Sequence, residues 1–399
     1  MAGYDVIVVG GGIIGLSTAY CLARAGRSVL LLEKGDIGAG SSYGNAGLIT
    51  PSDSLPLPSP AVISQGLRWL LDPDSPLYIK PRPDFDLLRW LWQFLRSSNR
   101  STFLRSIPIL RDLSRESLRL YREWMAEEGI DVPFAQAGLL LVYRTEAGFQ
   151  DGLALAETLA RFDIQSQVLN KNEARDRIPL LRPDIVGGVY YVEDAHFDPA
   201  AFLRAFAPKV AARGVRMLTH TEVLDFRVQA GKVTRVMTTR GEFPTEHVVL
   251  AAGAWTPRLT RRLGSRLPVE AAKGYSITIR RPPAFPEVPL ILDEAKVAVT
   301  PMGNTLRFAG TLELAGLNLG ITMRRVNTIK RGVSEYLTIQ PDEEPLVELW
   351  RGLRPCSPTG LPYIERLPHV ANVIVATGHC MLGMSQGPAT GCRVAEMVG

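Results

Sequence analysis

The sequence has little cysteine: four residues in 399, Cys21, Cys356, Cys380 and Cys392. Their spacing fits neither a metal site nor a disulfide framework, so no resident metal is expected and a reducing cytoplasm suits the chain. Net charge is also small, +5 from 45 basic and 40 acidic residues. That balance is too mild to point to nucleic acid as a partner. No targeting segment, internal repeat or low-complexity tract stands out. The uncharged run from Val6 to Ala23 is as long as a membrane span, but its glycines and its change from strand to helix period argue against one. Apolar residues are not scarce: 46% of the chain is hydrophobic, enough for a large core and two domains.

The most informative stretch runs from Asp5 to Glu33. Asp5-Val6-Ile7-Val8-Val9 predicts a short buried strand. Gly10-Gly11-Gly12-Ile13-Ile14-Gly15 fits G-x-G-x-x-G, and an amphipathic helix follows through Arg24, closed by Gly26. Val29 to Leu32 predicts a second buried strand, ending at Glu33 and Lys34. Gly10 permits the tight turn, Gly12 lets the backbone approach a pyrophosphate, and Gly15 allows close helix–strand packing. The helix N-terminus turns unpaired N–H groups toward phosphate. Glu33 suits a ribose 2′-OH and disfavours a 2′-phosphate. Strand, glycines, helix and acid in register predict a bound dinucleotide. The small, polar stretch Gly40-Ser41-Ser42-Tyr43-Gly44-Asn45-Ala46-Gly47-Leu48-Ile49 follows. Its backbone can lie against a flat ring while its hydroxyls reach phosphates.

Proline and serine from Pro51 to Pro60 predict an extended connector. Val62 to Leu71 and Leu87 to Leu95 read as helices, with Trp69, Trp90, Trp92 and Phe94 concentrated there and basic residues from Lys80 to Arg105. Such a stretch either packs on its own domain or lies on a membrane surface. Ile107 to Glu128 predicts a long helix whose Leu110, Leu113, Leu120, Tyr121 and Trp124 share a face with one polar residue, Ser117. Ala137 to Tyr143 reads as a strand and Phe149 to Phe162 as a helix. Asp198 caps a helix with Pro199 at its first position, and Gly214 stops it. Val248 to Trp255 and Asn372 to His379 predict buried strands ending in small residues. Residues 272–279, 297–300 and 306–312 predict a mainly antiparallel sheet in a second domain. Val326 to Leu337 and about Pro388 to Val398 are the last predicted helices.

The N-terminal fingerprint and Gly40 to Ile49 occur together with Lys273-Gly274-Tyr275-Ser276, Gly310-Thr311-Leu312-Glu313, Gly352-Leu353-Arg354-Pro355 and Thr377-Gly378-His379. This combination resembles the D-amino-acid-oxidase-like family of FAD oxidoreductases, and its bacterial D-amino-acid dehydrogenases most. The resemblance implies an α/β, Rossmann-like FAD-binding domain built from residues 1–84, 147–258 and 340–399. Residues 85–146 and 259–339 would form an α+β substrate domain with a mainly antiparallel sheet. FAD is expected to be non-covalent, because the family's attachment cysteine aligns near Gly352, not at Cys356. The resemblance places adenine at Val223, the dinucleotide over Ala252, Gly253 and Trp255, and the flavin near Gly378, His379, Met381, Leu382, Gly383 and Met384. There the N-terminus of the last helix would present N–H groups to the pyrimidine ring.

By the same resemblance, Arg354 grips a substrate carboxylate bidentately, which lysine cannot do. Glu313 holds the substrate ammonium or is a solvated strand residue. Tyr275 caps the cavity or is a core tyrosine. His379 bonds the flavin or is structural. A substrate-site tyrosine of glycine oxidases falls near Ala298 here, which argues against a glycine-like site. The implied reaction is oxidative deamination of D-amino acids to 2-oxo acids and ammonia, by hydride transfer to flavin N5. A quinone-type respiratory acceptor takes the electrons, on a cytoplasmic protein or one in peripheral contact with the inner membrane. The alternatives are a dehydrogenase of proline, hydroxyproline or sarcosine, an O2-using oxidase, and a non-catalytic FAD-binding subunit. The presence of Arg354 argues against the last.

Overall fold

The computed structural model describes residues 3–59, 62, 75 and 77–399. Strand Tyr4–Val9 is apolar on both faces, and Val6 to Val9 are all buried. It therefore sits inside a sheet, between Val29–Leu32 and Gly241–Leu250, parallel to both. The full path runs Arg216–Leu218, Val29–Leu32, Tyr4–Val9, Gly241–Leu250, Lys232–Thr238, Val223–Gln229. Val373–Thr377 pairs in parallel with Gly241–Leu250 and carries Tyr363–Arg366 outside it. This eight-stranded sheet is the nucleotide sheet expected from the fingerprint.

Helix Ile13–Arg24 leaves the first strand and packs on the C-terminal helix Gly383–Val398. The approach is close: a β-carbon on Gly391 would lie 2.5 Å from the Ser17 carbonyl carbon. The long helix Arg100–Glu128 covers them, adding Leu113, Tyr121 and Trp124 to a core shared with Val8, Tyr20, Phe202 and Phe206.

The C-terminal helix starts at Gly383, five residues before the expected start at Pro388. Proline has no N–H, so the carbonyl four residues back, on Met384, loses its helical donor. Tyr121 supplies a replacement, its hydroxyl donating to that carbonyl at 2.9 Å. The next N–H, of Ala389, donates to Ser117 Oγ at 3.1 Å. Ser117, the polar residue expected on the apolar face of the long helix, thus has a partner; Ser106 and Ser114 are buried on that helix as well.

A second, nine-stranded and mainly antiparallel sheet runs Leu346–Cys356, Glu270–Arg280, Thr305–Leu314, Val297–Met302, Leu290–Leu292, Leu139–Tyr143, Gly187–Tyr191, Ser166–Asn170. Leu77–Ile79 adds to Thr305–Leu314. Helix Met323–Tyr336 covers one face, packing Val326, Ile329 and Val333 against Ile277 and Phe308.

Sheet membership divides the chain differently from the expected boundaries. Leu77–Ile79, Ser166–Asn170, Gly187–Tyr191 and Leu346–Cys356 all lie in the second sheet, although each falls in a segment assigned to FAD binding. Conversely, Arg100–Glu128 packs on the nucleotide side. Hydrogen-bond partners far away in sequence decide membership, and local pattern does not carry them. The cysteine expectation is also corrected: Cys356 and Cys380 form a disulfide. A bridge between Cys356 and His379 brings the end of one strand to the turn after another. The expected helix from Val62 to Leu71 lies outside the described residues, apart from Val62. Among the described residues, no helix is long and apolar enough to cross a membrane.

Candidate active site

The two sheets flank a cavity of about 610 Å³. At one end the first strand turns into the first helix. Gly10 takes φ +115°, and a β-carbon there would lie 2.4 Å from the Ala251 carbonyl oxygen. The N-cap residue, Gly12, has no side chain to cap the helix; Ser42 Oγ takes the Ile13 N–H, and the rest of the first turn faces the cavity as an anion site. Gly10, Gly12, Ile13 and Ile14 line the cavity, while Gly15 packs behind them against the Gly10 carbonyl. Glu33 is held by two backbone donors, the N–H groups of Gly11 at 2.7 Å and Gly35 at 2.8 Å.

The part of the cavity beside Glu33, where adenosine is expected, is walled by Lys34, Val223, Ala252, Gly253 and Trp255. The Lys34 ammonium stands 3.4 Å from the Trp255 ring centroid, a cation–π contact. Burial holds the Lys34 pKa below its usual value. Sequence reasoning missed Arg258, Leu259 and Arg262 here. The signal available was the four-residue spacing of the two arginines on helix Thr256–Arg262, which puts them on one face.

Gly40, Ser41, Ser42 and Asn45 line the cavity; Ala46, Gly47 and Leu48 do not. These three instead thread the loop back into the fold. The loop is fixed internally: Ser42 Oγ accepts the Ile13 N–H at 3.0 Å, and the Asn45 amide donates to the Ser42 carbonyl at 2.8 Å. The second sheet holds it from the other side. Ser276 Oγ donates to the Gly44 carbonyl at 2.8 Å, and the Arg307 guanidinium to the Asn45 carbonyl at 3.1 Å. These rows of groups fit FAD: an open helix N-terminus for the pyrophosphate, a fixed acid for the ribose, and a flat, small-residue wall for the ring.

The far wall comprises Met381, Gly383, Met384, His379 and Arg354; Gly378 and Leu382 stand outside it. The C-terminal helix has no side-chain cap and begins at this wall, so its positive end faces the cavity. His379 is buried, with Nε2 2.9 Å from Thr390 Oγ1 and Nδ1 without a partner among the described residues. Burial pushes its pKa down to about 3, so the ring is neutral.

Arg354 comes from strand Leu346–Cys356. Its Nη1 donates to the Thr311 carbonyl at 2.8 Å. No carboxylate among the described residues pairs with it. Burial alone pushes its pKa down, to about 10, which still leaves it charged at neutral pH. Arg354 stands opposite Ala272 in the ladder, and Lys273 stands opposite Glu313. Alternation therefore puts Arg354 on one face and Lys273, Tyr275 and Glu313 on the other. Neither Tyr275 nor Glu313 lines the cavity. The Tyr275 hydroxyl donates to Glu313 at 2.7 Å and accepts the Thr322 N–H at 3.3 Å, and the Lys273 ammonium lies 3.4 Å from Glu313 and donates to the Gly320 carbonyl at 2.8 Å. This buried cluster anchors the 315–322 loop, whose Leu319 reaches the cavity. Among the described residues, the carboxylates on the cavity wall are Glu33 and Glu222.

Residues 5–397 match the family model described as DAO, FAD dependent oxidoreductase. The D-amino acid dehydrogenase of Helicobacter pylori is 31% identical over 394 residues, spanning 98% of this chain and 94% of that protein. The D-amino acid dehydrogenase of Methylobacterium nodulans is 33% identical over 407 residues, with 98% and 94% covered. Among solved structures, glycine oxidase from Geobacillus kaustophilus aligns with a TM-score of 0.79 at 26% identity, over 99% of this chain and 94% of that one.

Proposed function

The chain belongs to the FAD-dependent oxidoreductase family, and from that premise we propose that it oxidises D-amino acids as a dehydrogenase. The observation that carries the reading is Arg354, a charged guanidinium in the cavity with no carboxylate partner among the described residues. A buried cation is costly unless an anion meets it, and a planar guanidinium matches an amino-acid carboxylate bidentately.

Bound FAD supplies the two-electron acceptor for the hydride of the substrate α-carbon. The chain's own residues bind and orient. Arg354 fixes the carboxylate end, and Leu319 and Pro355 supply apolar wall beside it. Among the described residues no carboxylate lines the cavity beside Arg354, so the ammonium proton goes to solvent before the C–H bond breaks. The product imino acid hydrolyses to a 2-oxo acid and ammonia. Positioning accounts for much of the rate. Electrons then pass to a quinone-type acceptor, a reading supported by the dehydrogenase names of the relatives. Peripheral membrane contact is supported by helix Phe85–Ser97, which exposes Phe85, Leu88, Trp92 and Leu95 beside Arg89 and Arg96. Sedimentation with anionic liposomes tests it; full recovery in the supernatant would sink it.

The decisive test of substrate is anaerobic bleaching of the flavin band, with D-alanine, L-alanine, D-proline, sarcosine and glycine added separately. Bleaching with D-alanine and not its mirror image is the expected result. Bleaching with D-proline or sarcosine alone would move the activity to secondary amines, and bleaching with none would overturn the proposal for this panel.

A further inference from the structure

The disulfide between Cys356 and Cys380 stands at the cofactor cavity. Cys380 lines it, between His379 and Met381 on the wall expected to face the flavin ring. Cys356 follows Arg354 by two residues on the same strand, so the two side chains share a face. Cys356 is fully buried, while Cys380 is partly exposed.

Two observations argue that the bond is more than a staple. First, the join it makes is already held. Cys356 and His379 form a backbone bridge, and the Trp90 indole N–H donates to the Cys356 carbonyl at 2.9 Å. A chain with several large cores also has little need of a cross-link for stability. Second, Cys380 takes φ +50°. That left-handed conformation costs an L-residue about 1–2 kcal/mol and suits glycine. A cysteine there is unfavourable for the backbone unless its sulfur contributes something.

We propose that Cys356–Cys380 is a second two-electron site of the flavin cavity, a disulfide that takes the electron pair of reduced FAD. One S–S bond breaks and two S–H bonds form. The reduced cofactor gives up two electrons and two protons and returns to its oxidised form, so the step balances with no further reagent. Arg354, on the same face, favours the thiolate form of the pair. Cys380, the sulfur within reach of solvent, is then the one that exchanges with an external disulfide. The remaining cysteines, Cys21 and Cys392, meet between the first and last helices with their sulfurs 2.6 Å apart and do not line the cavity. They serve as the internal control.

The test is an anaerobic dithionite titration of the FAD-loaded protein, with the flavin band recorded and cysteines alkylated and mass-mapped at each point. Full bleaching is expected to need about two equivalents, four electrons per flavin, instead of about one. Cys356 and Cys380 become alkylatable as reduction proceeds. The double variant Cys356→Ala, Cys380→Gly is expected to bleach at about half the dithionite, a twofold fall; the glycine also relaxes the backbone. The mass map of the unaltered protein stands even if that variant does not fold. Bleaching of the native protein at one equivalent with the Cys356–Cys380 peptide still cross-linked would overturn the proposal. So would thiols at both positions before any reductant, or an unchanged titration in the variant. Dithionite bypasses the amino acid, so failure of the D-amino-acid reading shows separately, as a flavin that dithionite bleaches and D-alanine does not.

Discussion

Gly274 lies directly beneath the guanidinium of Arg354: a β-carbon on Gly274 would come within 2.0 Å of Nη1. The neighbouring strand supplies Gly352 opposite it. Gly352 carries the Trp350 ring, while Arg354 rests over Gly274 and reaches the Thr311 carbonyl. In Gly274→Ala the flexible end of the arginine has to move. KM for the amino acid is expected to rise about tenfold or more, with kcat changed less, because binding of the carboxylate is lost in ground and transition states alike. Steady-state kinetics with D-alanine checks this, and an unchanged KM would place the carboxylate elsewhere.

Arg354→Lys keeps the charge and loses the fork. A compact ammonium makes a single-point contact where the guanidinium makes two. The expected fall in kcat/KM is about 100-fold or more. FAD content is expected to stay near that of the parent, since the arginine stands at the proposed substrate end of the cavity. Flavin absorbance per chain separates the two effects.

His379 gives a pH signature. Its folded pKa, about 3, lies below the usual 6.5 because the ring is buried. The unfolded chain binds a proton as pH falls through about 6.5, and the folded chain does not. The stability this histidine contributes is thus fully present above 6.5 and is lost as pH falls toward 3, by about 1.4 kcal/mol per pH unit. His379→Gln can keep the contact with Thr390 and cannot protonate. Urea unfolding at pH 7 and pH 5 is expected to show a smaller loss for the variant than for the parent. Equal losses would mean that the ring takes up its proton in the folded chain as it does in the unfolded one.

The dinucleotide half of the site was legible in the sequence because it is local. Gly10, the helix after it and Glu33 lie within thirty residues, and each position's geometry follows from its own neighbours. The loop from Gly40 to Asn45 was legible for the same reason. What escaped depends on pairing across the chain. Nothing near Tyr275 tells that it shares a face with Glu313 and not with Arg354; the ladder register does. Cys356 and Cys380 meet only because strand ends more than twenty residues apart converge. The start of the last helix was misplaced at Pro388 because proline favours first turns, and the donor that allows it inside a helix sits on Tyr121.

The placement of Glu313 changes what its removal should do. It is buried, and so is its partner Lys273. Glu313→Ala leaves a buried ammonium without a counter-charge, which typically costs about 3–5 kcal/mol. The expected result is a marked loss of stability in urea unfolding. Tyr275→Phe, which removes the bond to Glu313 and the one from the Thr322 N–H, is expected to cost about 1–3 kcal/mol and to change kcat/KM little. A collapse of kcat in Tyr275→Phe with stability intact would show that the tyrosine reaches the substrate after all.

Tyr121 and Pro388 form the last testable pair. Proline leaves the Met384 carbonyl without its helical donor, and Tyr121 provides one. Met384 lines the cavity, so this bond fixes the start of the helix at the wall proposed to face the flavin. Tyr121→Phe is expected to cost about 1–2 kcal/mol, the penalty of a buried acceptor left unmet. In a Pro388→Ala background the restored N–H meets the same carbonyl, and the cost of Tyr121→Phe should shrink. A double-mutant cycle by urea unfolding, with a coupling of about 1 kcal/mol, is the expected outcome. Strict additivity would mean that the hydroxyl and the proline act independently, and that the early start of the helix at Gly383 rests on other contacts, such as the Ser117 bond to Ala389.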